Sequence, residues 1–370
     1  MAKERFKEQG EDSFFGNFVY QRVVPRGHFL AQLKEIIPWG RFSKRLLQYY
    51  QGKGQEGRAP YDPALLLRML LVSYLYDLSE RQTEEAVNYH MAIKYFVGLA
   101  VDQKAPDHST LTAFKRRLIE NGQLEAYEGM LREIVGIALE EGIEFGPVQV
   151  IDSAHTVADV NVEKDERRRK EGKEPRDPHA RWGVKHSRRV RDEKGRVVKQ
   201  REYFYGYKMH VSMNSENGMI TSVRVTPGNA YDGHLLPELV EEDLGLGLAV
   251  GVVSADRGYD DSDNHVFLWE KGIHSAIRLN EYRTKKKDKN KEVWVRLKRT
   301  REYREGLKER YKVERKFGEA KVWHGLRRCR YVGIVGYAIQ AILTAIVLNL
   351  KRMVKLLRGV NFRGRAMVMA

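Results

Sequence analysis

VQVIDSAHTVA, residues 148–158, is a run of apolar and β-branched residues interrupted by one carboxylate, Asp152. It follows Gly146 and Pro147, and that composition reads as a strand rather than a helix. Four later stretches read the same way: YFYGYKMHVSMN (203–214), MITSVRVT (219–226), LAVGVVSA (248–255) and IHSAIRL (273–279). Between them GHLLPELVEED (233–243) and SDNHVFLWEKG (262–272) read as helices. Strand, two hairpin-like strands, helix, strand, helix, strand describes an α/β fold with a mixed five-stranded sheet flanked by helices.

Upstream the pattern differs. Residues 1–143 read as an all-α domain. Asp62 followed by Pro63 opens the apolar run ALLLRMLLVSYLY, and Ser79 and Ser109 offer further starts, with Gly122 as a stop. LEAYEGMLREIVGIALEEG (124–142) closes the region. Lys115, Arg116 and Arg117 suit a DNA-reading helix-turn-helix as well as they suit a structural bundle. The expected division is a helical DNA-binding or structural domain at 1–143, an α/β domain at 144–358 with a basic insertion at about 160–201, and a basic tail at 359–370. QGKGQEG at 51–57 reads as a flexible loop.

The formal net charge is +16, and it is unevenly spread. Residues 160–201 hold sixteen Lys or Arg against eight acids, and residues 281–316 hold sixteen against seven. Charge gathered in this way suits a polyanion binder, although solvated basic loops give the same counts. The single cysteine, Cys329, excludes an internal disulfide and a multi-cysteine zinc site, and fits a reducing, cytoplasmic setting. The N-terminus carries no apolar core of signal-peptide type. YVGIVGYAIQAILTAIVLNL (331–350) is long enough to span a bilayer, but Gln340, Thr344 and Asn349 dilute it, and we read it as a buried core helix. GLGLAVG (245–251) precedes a strand and opens no helix, so it is not a dinucleotide fingerprint.

Two acids end apolar strands: Asp152, and Asp256 in VGVVSADRGYDD. A carboxylate held rigidly where a buried strand emerges suits a hard divalent cation, while an ordinary turn or cap uses the same residue type. A third acid, Glu314, lies in RYKVERKFGEAKVWHGLRRCRY (310–331), a stretch crowded with Lys and Arg. On a helix Arg310, Glu314, Phe317 and Lys321 share one stripe, and an Arg310–Glu314 ion pair worth about 0.3 kcal/mol would account for that acid without any chemistry. His155 and Asp232 are further candidates near the first strand, with a structural role and a helix N-cap as their bland readings.

Together these motifs resemble the DDE transposases of bacterial insertion sequences, in particular the families numbered four and five. IDS around Asp152, YGYKMH (205–210), TPGNAYDGH (226–234) and ADRGYD (255–260) carry the resemblance. The helix signature of Tyr, two residues, Arg, three residues, Glu, six residues, Lys is met by Arg310, Glu314 and Lys321. Leu307 stands at the tyrosine position, and Tyr303 lies one turn earlier. The resemblance implies an RNase H-like catalytic domain in which Asp152, Asp256 and Glu314 are catalytic and hold two Mg2+ ions, with Mn2+ able to substitute. It implies DNA contacts by Arg310, Lys321, Arg315, Lys185, Arg188 and Arg189. Trp182 and His186 suit stacking on an unpaired base as well as they suit a solvated loop with one anchoring Trp, and residues 281–300, with Trp294, are expected against the DNA backbone. The implied partners are double-stranded transposon ends and target DNA, bound by a homodimer near the nucleoid with no membrane. A nuclease of the same fold, or an inactive DNA-binding derivative, shares most of these features.

Overall fold

A computed structural model describes residue 6 and residues 14–50, 59–191, 197–285 and 289–362, with backbone alone at 14, 15, 17, 186–191 and 197–199. The glycine-rich loop at 51–57 and the tail beyond 362 lie outside the described residues. The chain divides into two compact units, Met1–Ile143 with Ile346–Ala370, and Glu144–Ala345.

The first unit contains helices α1 (Phe14–Val23), α2 (Phe29–Ile36), α3 (Trp39–Leu47), α4 (Pro63–Leu75), α5 (Glu80–Tyr89), α6 (Met91–Val97), α7 (His108–Gly122) and α8 (Glu125–Glu140). Asp62 caps α4 by accepting from the Ala64 N–H at 2.8 Å, and Ser79 with Gln82 forms a capping box on α5. Every residue of α4 is buried, which explains a run that is apolar on all sides. The start expected at Ser109 moves back two residues. Asp107 caps α7, its carboxylate accepting from the Ser109 N–H, and Glu84 accepts from the His108 N–H at 2.9 Å. Of the three basic residues on α7, Lys115 is buried against Glu80 and Arg117 lies over the Tyr50 ring at 4.3 Å. Arg116 makes an exposed pair with Glu120.

The second unit is built on six strands: β1 (Val148–Val157), β2 (Arg181–Arg191), β3 (Val197–Asn214), β4 (Ile220–Pro227), β5 (Val252–Ala255) and β6 (His274–Ile277). The first half of β3 pairs antiparallel with β2, and its second half pairs antiparallel with both β1 and β4. From β1 the sheet continues in parallel through β5 to β6. The unit's helices are α9 (Val162–Lys170), α10 (Leu236–Gly245), α11 (Ser262–Glu270), α12 (Lys291–Arg299), α13 (Arg301–Glu309) and α14 (Tyr311–Trp323), while α15 (Ile334–Arg358) starts in this unit and passes into the first at Ile346. The five expected strands are present, and a sixth, β2, lies in the segment expected as a basic insertion, which also holds α9.

Ile151, Val253 and Ala255 pack beneath Leu236, Leu239 and Val240 of α10 and Leu268 of α11. That core fixes the level at which β1 and β5 emerge. Among the described residues α15 is the one helix long and apolar enough to cross a membrane, and most of it is buried within the fold. Its glutamine is satisfied there: Gln340 accepts from the Arg330 N–H at 2.7 Å and donates to Gly325 O and Arg328 O, whereas the buried Thr344 hydroxyl has no hydrogen-bond partner among the described residues. Tyr337 stacks on Tyr207 and shares a hydrogen bond with Thr156 at 2.9 Å.

α13 lies directly on β5 and β6, and Gly306 makes the approach possible. A Cβ there would meet Ala276 Cβ at 2.6 Å and Val252 Cγ1 at 3.1 Å, neither of which can swing away. We expect Gly306→Val to cost about 1–3 kcal/mol by overpacking and to lower the melting temperature by several degrees, measurable by circular dichroism.

Candidate active site

Ile151 of β1 pairs in parallel with Ala255 of β5, so Asp152 and Asp256, the next residues, stand at the same level. Asp256 leaves β5 there, whereas Asp152, expected at a strand end, lies in the middle of β1, which runs on to Val157 in its pairing with β3. Asp152 Oδ1 accepts from the Ser153 N–H at 2.8 Å, and Asp256 Oδ1 accepts from the Gly258 N–H at 2.7 Å. Burial, and then the neighbouring Asp256 charge, push the Asp152 carboxyl up to about 7, against the Ser153 N–H and Arg310. Burial also raises Asp256, with Asp232 adding to the rise and the Gly258 N–H and Arg310 opposing it.

The third acid arrives on α14. Arg310, the helical residue between α13 and α14, points its Nη2 at Glu314 Oε1 (3.0 Å) and at Asp152 Oδ2 (3.7 Å). The intrahelical ion pair therefore exists, but the same guanidinium joins Glu314 to Asp152. Arg310 is largely buried, and its Nε has no hydrogen-bond acceptor, whereas the Glu314 side chain is 61% exposed. The remaining stripe of α14 splits by chemistry: Val313, Phe317 and Ala320 are buried under it, and Lys321 sits at the edge. Burial, and the nearby charges of Lys185 and Arg327, lower the Lys321 amine below its ordinary value. Of these two cations Lys185, on β2, is itself paired with Glu202 at 2.5 Å. Arg315 is exposed; Arg188 and Arg189 belong to β2, with side chains outside the described set.

Other expected residues are elsewhere or differently employed. Asp232 is not a helix cap. It opens a short 3-10 turn capped by Tyr231, and its carboxylate accepts from Ser153 Oγ (3.0 Å) and Lys208 Nζ (2.6 Å). His155 packs its ring on Phe204, with centroids 4.9 Å apart. Trp182 is half exposed, donating to Glu166 and meeting Tyr205 edge-on; the His186 side chain is outside the described set. Trp294 does not lie on the surface expected to meet DNA: it is buried between Arg283 and His265 and packs with Leu279 and Tyr303. Tyr303 is likewise buried, its hydroxyl accepting from the Leu279 N–H. Sequence reasoning missed Lys208 and Ser153 as neighbours of the acids; the YGYKMH motif was the only signal for the first.

Two buried or half-buried carboxylates and a third nearby, with Arg310 and Lys208 as the facing cations, fit a hard divalent ion. Burial first, and then the neighbouring Asp256 charge, disfavour the ionised form of Asp152.

The site therefore sits on the central parallel strands of a mixed six-stranded sheet, ordered β2-β3-β1-β5-β6 with β4 also paired to β3, as in an α/β enzyme. Family models narrow this class. Residues 18–117 match a transposase domain (DUF772), and residues 168–350 match a transposase DDE domain. The chain belongs to the DDE transposases, metal-dependent enzymes of DNA cleavage and transfer. Asp256 and Glu314 fall inside the second match, and Asp152 precedes it. Among solved structures the chain is similar to one titled "Crystal structure of the Mos1 mariner paired end complex with Mn", at 11% identity over 80% of this chain and 89% of that one, with a TM-score of 0.19. A likeness that slight carries no weight for the site.

Proposed function

We propose that the chain cleaves the ends of its insertion sequence and joins the freed 3′ hydroxyl to target DNA, with Asp152, Asp256 and Glu314 as the catalytic metal ligands. The observation that carries this reading is the convergence of the three acids: two at one level of adjacent parallel strands, and the third tied to them through Arg310. Two Mg2+ ions held by these acids would stabilise the attacking and leaving oxygens of an in-line phosphoryl displacement. The chain's own groups do the rest. Arg310 places a guanidinium beside Asp152 for a phosphate at the acids, and Lys321 and Arg327 hold the neighbouring backbone, joined by Lys185 once it releases Glu202. Arg315, Arg188 and Arg189 extend the basic track. Water and then the 3′ hydroxyl serve as nucleophiles, so no side chain forms a covalent intermediate. Terminal inverted repeats paired by a homodimer, working in the cytoplasm at the nucleoid, complete the reading.

The test is cleavage and joining of a labelled duplex carrying the element's terminal repeat, with Mg2+ or Mn2+, for the natural chain beside Glu314→Gln. Joined products from the natural chain and a loss of about 10²–10³-fold in the variant are expected. A variant that cuts and joins equally well would reduce Glu314 to half of a helix ion pair.

A further inference from the structure

Each of the two aspartates accepts from a backbone N–H of a nearby residue, Asp152 from Ser153 and Asp256 from Gly258. Both of those residues adjoin one further carboxylate. Ser153 Oγ donates to Asp232 Oδ2 at 3.0 Å, and a Cβ at Gly258 would lie 2.9 Å from Asp256 Oδ1 and 3.8 Å from Asp232 Oδ2. Asp232 is itself anchored. Lys208 Nζ donates to Asp232 Oδ1 at 2.6 Å and to Ala230 O at 2.8 Å, and Lys208 is set by the ladder of β3, opposite His155 of β1. The two side chains are 16% and 21% exposed, so solvent screens this pair far less than a surface one.

We infer that Asp232 and Lys208 are positioning residues of the metal centre: Asp232, fixed by Lys208, braces Ser153 and so sets where the Asp152 carboxylate stands beside Asp256. Groups that orient metal ligands in this way are worth about 10–100-fold in metal affinity when removed. The inference rests on the reading that Asp152 and Asp256 hold the metal. Ser153→Ala isolates the brace, because it deletes the hydroxyl and keeps the N–H that Asp152 uses.

The experiment is Mn2+ binding by isothermal titration calorimetry on the full chain without DNA, beside thermal unfolding in EDTA, for the natural chain, Asp232→Asn, Ser153→Ala and Asp256→Asn. Asp232→Asn is expected to weaken Mn2+ about 10–100-fold and Ser153→Ala to weaken it less, with metal-free melting temperatures within about 3 °C of the natural chain. Unchanged Mn2+ affinity in Asp232→Asn, with binding lost in Asp256→Asn, would overturn the positioning role and leave the metal centre standing. Unchanged affinity in both would overturn the two together. A loss of affinity that tracks a large fall in metal-free melting temperature would also overturn it, by making the pair part of the framework alone.

Discussion

Asp256→Asn should abolish measurable cleavage and joining, a fall of at least about 10²–10³-fold, while leaving DNA affinity within about twofold. The substitution keeps the side-chain oxygen that accepts the Gly258 N–H and removes the charge, so the turn after β5 survives. The phosphate contacts proposed for Lys321, Lys185 and Arg327 lie on other elements and should be unaffected. Gel-shift binding measured beside a joining assay checks both halves. An active Asp256→Asn chain would show that this acid only shapes its turn.

Asp260→Ala should produce the largest loss of stability, about 3–5 kcal/mol, because it strands buried partners. Its carboxylate accepts from the Asn280 N–H at 2.7 Å, contacts Arg283 Nε at 3.2 Å and lies 3.0 Å from His265 Nε2. Arg283 in turn sits over the Trp294 ring, so the acid ties the loop after β5 to the basic segment leading into α12. Burial pushes the Asp260 carboxyl up, but His265, the Asn280 N–H and Arg283 more than offset it and leave it below the ordinary 3.8. A depressed folded value means that this stabilisation is complete above about pH 4 and is lost as the pH falls through the folded value. Denaturant unfolding should therefore separate the natural chain from the variant at pH 7 and bring them together in strong acid.

Asp256 was legible because it ends a run of β-branched residues, a pattern that needs only local chemistry, whereas Asp152 interrupts such a run and its strand continues to Val157. The sixth strand was not legible. In RWGVKHSRRVR the charged residues hide Trp182 and Val184, and a bulge between Val184 and His186 breaks the alternation that would reveal a strand. Trp294 was expected among DNA-facing lysines, because its burial depends on Arg283 and His265, which fold back from other elements. Asp232 was seen as an acid but assigned to a cap, since its partners Lys208 and Ser153 are 24 and 79 positions away. Local pattern thus reads the sheet and its acids, and the contacts that orient those acids come from the tertiary fold.

The matched level of Asp152 and Asp256 also bears on which genetic changes the chain can survive. Neighbouring strands lie about 4.8 Å apart, and successive side chains alternate between faces. One codon inserted or deleted within β1 or β5 would turn its aspartate to the opposite face, leaving the overall hydrophobicity of the strand almost intact. Frame-preserving indels in these two short segments should therefore be purged as severely as loss of the acids themselves, even where most single substitutions of the flanking apolar residues are tolerated.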